Sequence, residues 1–290
     1  MVDLDKKLKS AFSIGKKTFP NPIWLASGTA GFGEDLASLI DLNLLSGIVL
    51  KGTTIEPKSG NPVPRLVETP AGLLNAIGLQ NPGIEFVLKE KIPFLKQFKV
   101  PLILNIAGKN LEEYLAICQR INGNEDIAAI ELNLSCPNVE KVMDNGANPN
   151  WVENVVKEVK KNINIPIIAK LTPNVTSICD IACAAEAGGA DAISAINTLL
   201  GMKIDIKTQK PVLANKMGGL SGPAIRPVAV RMIYQMRNKI KIPIVGMGGI
   251  MNKEDIFEFF CAGSDAVQLG TANFIDINFL QNLLAEVNEK

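Results

Sequence analysis

The stretch ELNLSCPN at residues 131–138 sets a thiol, Cys136, after a run in which apolar and polar residues alternate and directly before a proline. Such alternation predicts a strand over Ala128–Ser135, ended by Pro137, so that the thiol sits on a strand-to-loop exit rather than inside a core. The chain contains no histidine. Proton transfer near neutral pH therefore falls to a carboxylate, a lysine, a tyrosine or a thiol, and Cys136 is the candidate whose position suits that work.

Other residue types point to a ligand at the same place. Lys51 and Lys170 each end an otherwise apolar run. An ammonium there is costly to bury alone, so each should face a ligand anion or a carboxylate, unless it only snorkels to the rim. Two chemical uses are charge stabilisation of a reduced cofactor and a Schiff base with a carbonyl substrate. Asn75, Asn105, Asn133 and Asn197 add amides that donate and accept. They suit a planar ligand edge of alternating N–H and C=O groups, such as a pyrimidine or a flavin, although a single asparagine is ordinarily a turn former. VGMGGI at 245–250 and QLGTA at 268–272 leave apolar runs on glycines and lead into helical patterns. Backbone amides at such exits can hold a phosphate; the plainer reading is a tight turn. Cys118, Cys179, Cys183 and Cys261 lie in apolar helical stretches and read as packing residues. No histidine or second pair completes a metal site around Cys179 and Cys183.

The elements that must position these groups alternate along the chain. Strands are predicted at Pro22–Ala26, Gly47–Lys51, Pro101–Ala107, Ala128–Ser135, Pro166–Leu171, Ala192–Asn197, Pro243–Met247 and Ala266–Leu269. Helices are predicted at Leu111–Arg120, Asn150–Lys161, Ser177–Ala187, Ile225–Asn238, Lys253–Ala262 and Ile277–Val287. This order demands a parallel sheet, either an open doubly wound one or a closed (β/α)8 TIM barrel. The barrel is preferred because Ser27, Lys51, Asn105, Asn133, Lys170, Asn197, Gly248 and Gly270 fall at the C-terminal ends of eight different strands, which a barrel gathers into one ring. Residues 52–100 and Leu199–Ser221 exceed plain connections and should lie over that mouth. Residues 1–20 are expected to cap the opposite end of one domain spanning 1–290.

Composition agrees with an α/β interior: 47% of the 290 residues are hydrophobic but only 5% aromatic, so the core must be built from Ile, Leu, Val and Ala. Thirty basic residues against 29 acidic ones leave a formal charge of +1, which gives no basic surface for nucleic acid. No signal-like N-terminus and no run of roughly 18 apolar residues is present, so a cytoplasmic protein without a membrane segment is expected. Five cysteines without secreted-framework spacing read as reduced thiols.

Longer motifs carry a family resemblance. NPIWLASGTAGFGED at 21–35, NAIGLQNPG at 75–83, NLSCPN at 133–138, AKLTPN at 169–174, NTLLGMKIDI at 197–206, GGLSGPAIRP at 218–227, GMGGI at 246–250 and QLGTA at 268–272 resemble the class 1 dihydroorotate dehydrogenases, and most closely the type 1B catalytic subunit. The resemblance implies an FMN-containing barrel that oxidises dihydroorotate to orotate in pyrimidine synthesis. It makes Cys136 the base at C5 of the substrate, with the hydride at C6 passing to FMN. It places Lys51, Asn75, Asn133, Asn197 and Thr198 around the substrate under a covering loop of Ala76, Ile77, Gly78 and Leu79. Around FMN it places Ser27, Lys51, Gly52, Asn105, Asn133, Lys170, Ile196, Gly222, Gly248, Gly249, Gly270 and Thr271. It further implies a catalytic homodimer flanked by two separate subunits carrying FAD and a 2Fe–2S cluster, which pass electrons to NAD. Alternatives are a type 1A-like enzyme using fumarate, a uracil-reducing relative of dihydropyrimidine dehydrogenase, a Schiff-base aldolase using Lys170, and a non-catalytic binding module.

Overall fold

Eight apolar runs, each too short to span a buried helix and each bounded by turn residues, pair in chain order as parallel strands. They are β1 Ile23–Leu25, β2 Ile48–Val49, β3 Leu102–Ile106, β4 Ile127–Asn133, β5 Ile167–Lys170, β6 Ala192–Ala195, β7 Ile244–Met247 and β8 Ala266–Leu269. In this computed structural model, which describes residues 3–135 and 145–288, β8 pairs with β1 and the sheet closes as a barrel. The open doubly wound sheet is thereby excluded. No described helix is long and apolar enough to cross a membrane.

Six long helices pack outside: α1 Leu111–Ile121, α2 Pro149–Asn162, α3 Ile178–Ala187, α4 Arg226–Arg237, α5 Lys253–Ala262 and α6 Ile277–Asn288. Four begin on a side chain that accepts from a backbone N–H of the first turn: Asn110, Asn148, Ser177 and Asn252. Each such cap is worth about 1 kcal/mol and fixes where its βα loop ends. The outward strand residues, among them Leu25, Leu104, Ile130 and Leu132, are buried in one cluster with Ile117, Val155, Ile181, Ile233, Phe259 and Leu284 of the helices.

Inside the barrel the side chains form layers, because alternate residues of each strand face inward. Trp24, Val49, Ile103, Ala129, Ile168, Ala192, Val245 and Ala266 make an apolar floor. Phe12, Ile14 and Phe19 of the hairpin Phe12–Ile14/Lys17–Phe19 join it. Two residues further along their strands come Asn105, Glu131, Lys170, Ser194 and Gln268, all buried. The barrel is therefore sealed by hydrocarbon below and lined with hydrogen-bonding groups above, at the ends of the strands.

Three strands stop two residues earlier than expected, and β1, β3 and β5 stop one residue earlier. β4 ends at Asn133, not at Ser135 under Pro137, because the Asn133 side-chain oxygen accepts from the Ser135 N–H at 3.3 Å and turns the chain. β6 ends at Ala195 rather than Asn197, where the Asn197 oxygen accepts from the Thr198 N–H at 2.9 Å. β2 is cut to two residues as the Lys51 N–H turns to the Gly31 carbonyl.

The two long excursions fold onto each other. Strands Leu66–Thr69, Gly72–Asn75, Met217–Ser221 and Leu199–Met202 form one antiparallel sheet, with Gly219 opposite Asn75 and Leu199 opposite Leu220. This sheet lies beside the mouth and carries Asn75 and Thr198 to it.

Candidate active site

The centre of the mouth is a buried carboxylate. Glu131 is fully buried and accepts four hydrogen bonds: from Asn105 Nδ2 at 2.6 Å, Ser194 Oγ at 2.8 Å, Gln268 Nε2 at 2.9 Å and Lys170 Nζ at 3.2 Å. Burial pushes its acidity down, but the Lys170 ammonium and the three uncharged donors outweigh burial and hold the carboxyl below the usual range. Lys170 also donates to Ser27 Oγ at 3.0 Å. The carboxylate expected to face Lys170 is thus Glu131, which belongs to the 131–138 motif but is absent from the set of site residues drawn from the sequence. The desolvation argument that singles out Lys170 applies equally to an acid in an apolar strand and would have found it. Ser194 and Gln268 carry no comparable signal, since each is a common residue on a buried strand.

The amides around this centre are polarised. Asn105 spends its NH2 on Glu131, and its side-chain oxygen has no partner among the described residues. Asn133 and Asn197 spend their oxygens on backbone N–H groups, which turns their NH2 groups outward. Asn75 donates to the Gly219 carbonyl at 3.2 Å, which leaves its oxygen. Two acceptors and two donors therefore stand at the mouth, each fixed by the bond its other atom makes.

Glycines let the loops approach one another closely. A Cβ on Gly52 would lie 3.0 Å from Asn105 Oδ1, 3.2 Å from Leu79 Cδ2 and 4.0 Å from Asn133 Nδ2, so these three side chains converge over one bare patch of backbone. Ala76, Ile77 and Gly78 precede Leu79 in the same loop, pinned by Asn61, whose Nδ2 donates to the Ala76 carbonyl and whose N–H donates to that of Ile77. A Cβ on Gly249 would meet the Gly222 carbonyl at 2.7 Å, one on Gly222 would reach Thr271 at 3.5 Å, and one on Gly248 would reach Ile196 at 3.5 Å. Thr271 bonds Ser221 at 2.9 Å. The residues expected around a phosphate thus come from three loops into one cradle. One detail differs from expectation: α5 begins only at Lys253, and the helix after Thr271 spans just Ala272–Ile275. The long helix next to Gly249 is α4, whose Arg226 N–H would lie 3.1 Å from a Cβ there.

Lys51, beside Gly52, makes no ion pair among the described residues. Burial, and secondarily the charge of Arg65, lowers its pKa. Cys136 lies outside the described residues. Of the other cysteines Cys118 is buried and Cys179, half-buried, packs against the core, as expected; Cys183 and Cys261 are exposed, because the outward faces of α3 and α5 carry them.

A closed (β/α)8 barrel with a glycine-rich cradle at its seventh and eighth strands and a polarised amide ring at its mouth is the frame of an enzyme. The sequence model of the dihydroorotate dehydrogenase family matches residues 10–290. The chain is 53% identical over 268 residues to a protein of Geobacillus sp. (strain WCH70) named dihydroorotate dehydrogenase B (NAD(+)), catalytic subunit, covering 92% of this chain and 86% of that one. Proteins of the same name from Anoxybacillus flavithermus and Desulforamulus reducens are each 51% identical, over 92% and 93% of this chain and 86% and 89% of theirs. The chain belongs to the dihydroorotate dehydrogenase family.

Proposed function

We propose that this chain, as one domain, is the catalytic subunit that oxidises (S)-dihydroorotate to orotate in pyrimidine synthesis and passes the electrons to NAD through a separate subunit carrying FAD and a 2Fe–2S cluster. The observation that carries this reading is the polarised amide set beside a lysine, Lys51, that makes no ion pair among the described residues. A dihydropyrimidine ring presents alternating N–H and C=O groups on one edge and a carboxylate on the other. Asn75 Oδ1 can accept from ring N–H groups, while Asn133 and Asn197 can donate to ring carbonyls. Lys51 pairs with the carboxylate, which uracil lacks. Relatives named as catalytic subunits of the NAD-linked enzyme support a partner chain over direct use of fumarate.

The residues present fit FMN. Ser27, Lys51, Gly52, Asn105, Asn133, Lys170 and Ile196 would hold its ring, and Gly222, Gly248, Gly249, Gly270 and Thr271 its phosphate. When bound, FMN supplies the acceptor for the hydride from C6 of the substrate. Cys136, as thiolate, takes the proton from C5, so dihydroorotate loses one proton and one hydride and the C5–C6 bond becomes double. An ordinary thiol has a pKa of about 8.5, so this step gains rate as pH rises toward that value. Thr198 and the loop Ala76, Ile77, Gly78 and Leu79 cover the substrate and keep water from the reacting carbons. Two copies of this chain form the core of the complete assembly, a cytoplasmic heterotetramer.

The test is anaerobic addition of dihydroorotate to the purified flavoprotein. Bleaching of the visible flavin band is expected, with reoxidation by NAD only after the partner subunit is added. A yellow protein that dihydroorotate leaves oxidised would exclude this substrate. Reoxidation by fumarate alone would overturn the NAD-linked assignment.

A further inference from the structure

Within the flavin reading above, the role of Glu131 stands unassigned. It is the one fully buried carboxylate among the described residues, and every hydrogen bond it accepts comes from a different strand: Asn105 on β3, Lys170 on β5, Ser194 on β6 and Gln268 on β8. Burying a charge on the barrel axis is costly unless each bond is made. An apolar residue in this layer would simply extend the hydrocarbon floor that Ala129, two residues earlier on the same strand, already supplies. The carboxylate must then do something a hydrocarbon could not.

We propose that Glu131 is a positioning residue that sets the polarity of the flavin side of the mouth. A carboxylate accepts and does not donate. Asn105 must therefore turn its NH2 toward Glu131 and its oxygen, which has no other partner among the described residues, toward the bare backbone of Gly52. The same Glu131 oxygen that fixes Asn105 draws in the Lys170 ammonium and offsets part of its charge, while Ser27 shares that ammonium from the other side. Ser194 and Gln268 hold the second oxygen and so lock the carboxylate plane. The ligand thereby meets an acceptor at Asn105 and a partly compensated cation at Lys170, both set by one residue that lies beneath them.

The two effects separate in three variants of the flavoprotein. E131Q keeps one oxygen for Asn105 and Lys170, and its NH2 can meet Ser194 and a turned Gln268, whose oxygen has no partner among the described residues. It removes the charge at constant shape, so the midpoint potential of bound FMN should rise as Lys170 loses its counter-charge. N105D sets two carboxylates face to face and should weaken FMN retention, read by flavin fluorescence, by about tenfold or more. In N105D/E131Q the amide of residue 131 can donate to the new carboxylate, which still offers an oxygen to the ligand, and retention should largely return. A merely structural Glu131 predicts no change of potential in E131Q and no rescue in the double variant, and that result overturns the proposal. If N105D does not fold, the potential of E131Q decides. If neither folds, a high-resolution crystal structure of the wild-type flavoprotein decides by whether the Asn105 NH2 or its oxygen faces Glu131. A wild-type protein that takes no FMN would instead remove the flavin reading itself, before any variant is compared.

Discussion

Gly219 lies so close to Thr198 that a Cβ on it would sit 2.0 Å from Thr198 Oγ1 and 2.6 Å from Thr198 Cβ. The contact joins the end of β6 to the sheet built from the two excursions, and on its other side the Gly219 carbonyl accepts from Asn75. Gly219→Ala must push Thr198 or Asn75 out of place. Overpacking of this kind costs about 1–3 kcal/mol, which is roughly a fivefold to hundredfold loss when it falls on ligand contacts. Orotate affinity, followed by perturbation of the flavin spectrum, should fall by about that factor. FMN retention should fall less, since of the phosphate cradle only Gly222 shares a segment with Gly219 and the rest comes from the loops after β7 and β8.

Lys51 gives the site a pH limit on the alkaline side. Burial, then Arg65, lowers its pKa from the usual lysine value. The folded chain therefore favours the neutral amine more than the unfolded chain does. This cost to stability is present below the folded pKa and is relieved as pH rises through it toward 10.5. Substrate binding has the opposite sign, since the carboxylate needs the ammonium. The KM for dihydroorotate should rise as pH climbs through the folded value, which lies below 10.5. Lys51→Arg, with a guanidinium that stays charged, should move that rise to higher pH. A KM profile identical in both proteins would separate Lys51 from the carboxylate.

Much of this architecture was legible because barrel strands announce themselves twice, by short apolar runs and by the polar residue that ends each run. Lys170 and Asn105 were found in that way. Glu131 was not, although the same reasoning covers it: an acid in an alternating apolar–polar run reads as a solvent-facing position, and here that face is the barrel interior. The ends of β4 and β6 were misplaced because Asn133 and Asn197 turn the chain with their own side chains, a local bond that hydrophobic periodicity does not record. The pairing of residues 72–75 with 217–221 joins segments more than a hundred residues apart, and no local pattern encodes it. Residue type suggests packing roles for Cys183 of α3 and Cys261 of α5, whereas the helix face exposes both; Cys179 of α3 does pack against the core.

Lys170→Met tests the buried ion pair as a stability element. Removing one partner strands the Glu131 carboxylate in the barrel interior, a change that costs about 3–5 kcal/mol. Glu131 has a depressed pKa in the folded chain. Its contribution is therefore present above the unfolded carboxyl value of about 4.3 and is lost as pH falls through the folded value. Without Lys170, burial is left to act against fewer favourable partners, so the folded pKa moves up and less stability is lost on acidification; the deficit of the variant should be largest at neutral pH and narrow as pH falls. Urea titrations of the two proteins at neutral and mildly acid pH read both effects. Equal midpoints at every pH would show that the pair contributes nothing to the fold.

The thiols should divide by position. Cys118 is fully buried and burial pushes its pKa up to about 12, so it should resist an aromatic disulfide reagent in the native protein. Cys183 and Cys261 are exposed and should react without loss of bound FMN or of reduction by dihydroorotate, since they lie on helices outside the barrel. In C183S/C261S a further reactive thiol, if it is Cys136, should be protected by orotate, and its modification should abolish reduction while FMN stays bound. Cys136→Ala should reproduce that loss directly. A variant that is reduced at the wild-type rate would remove Cys136 from proton transfer and leave a chain without histidine to find its base among its lysines, tyrosines and carboxylates.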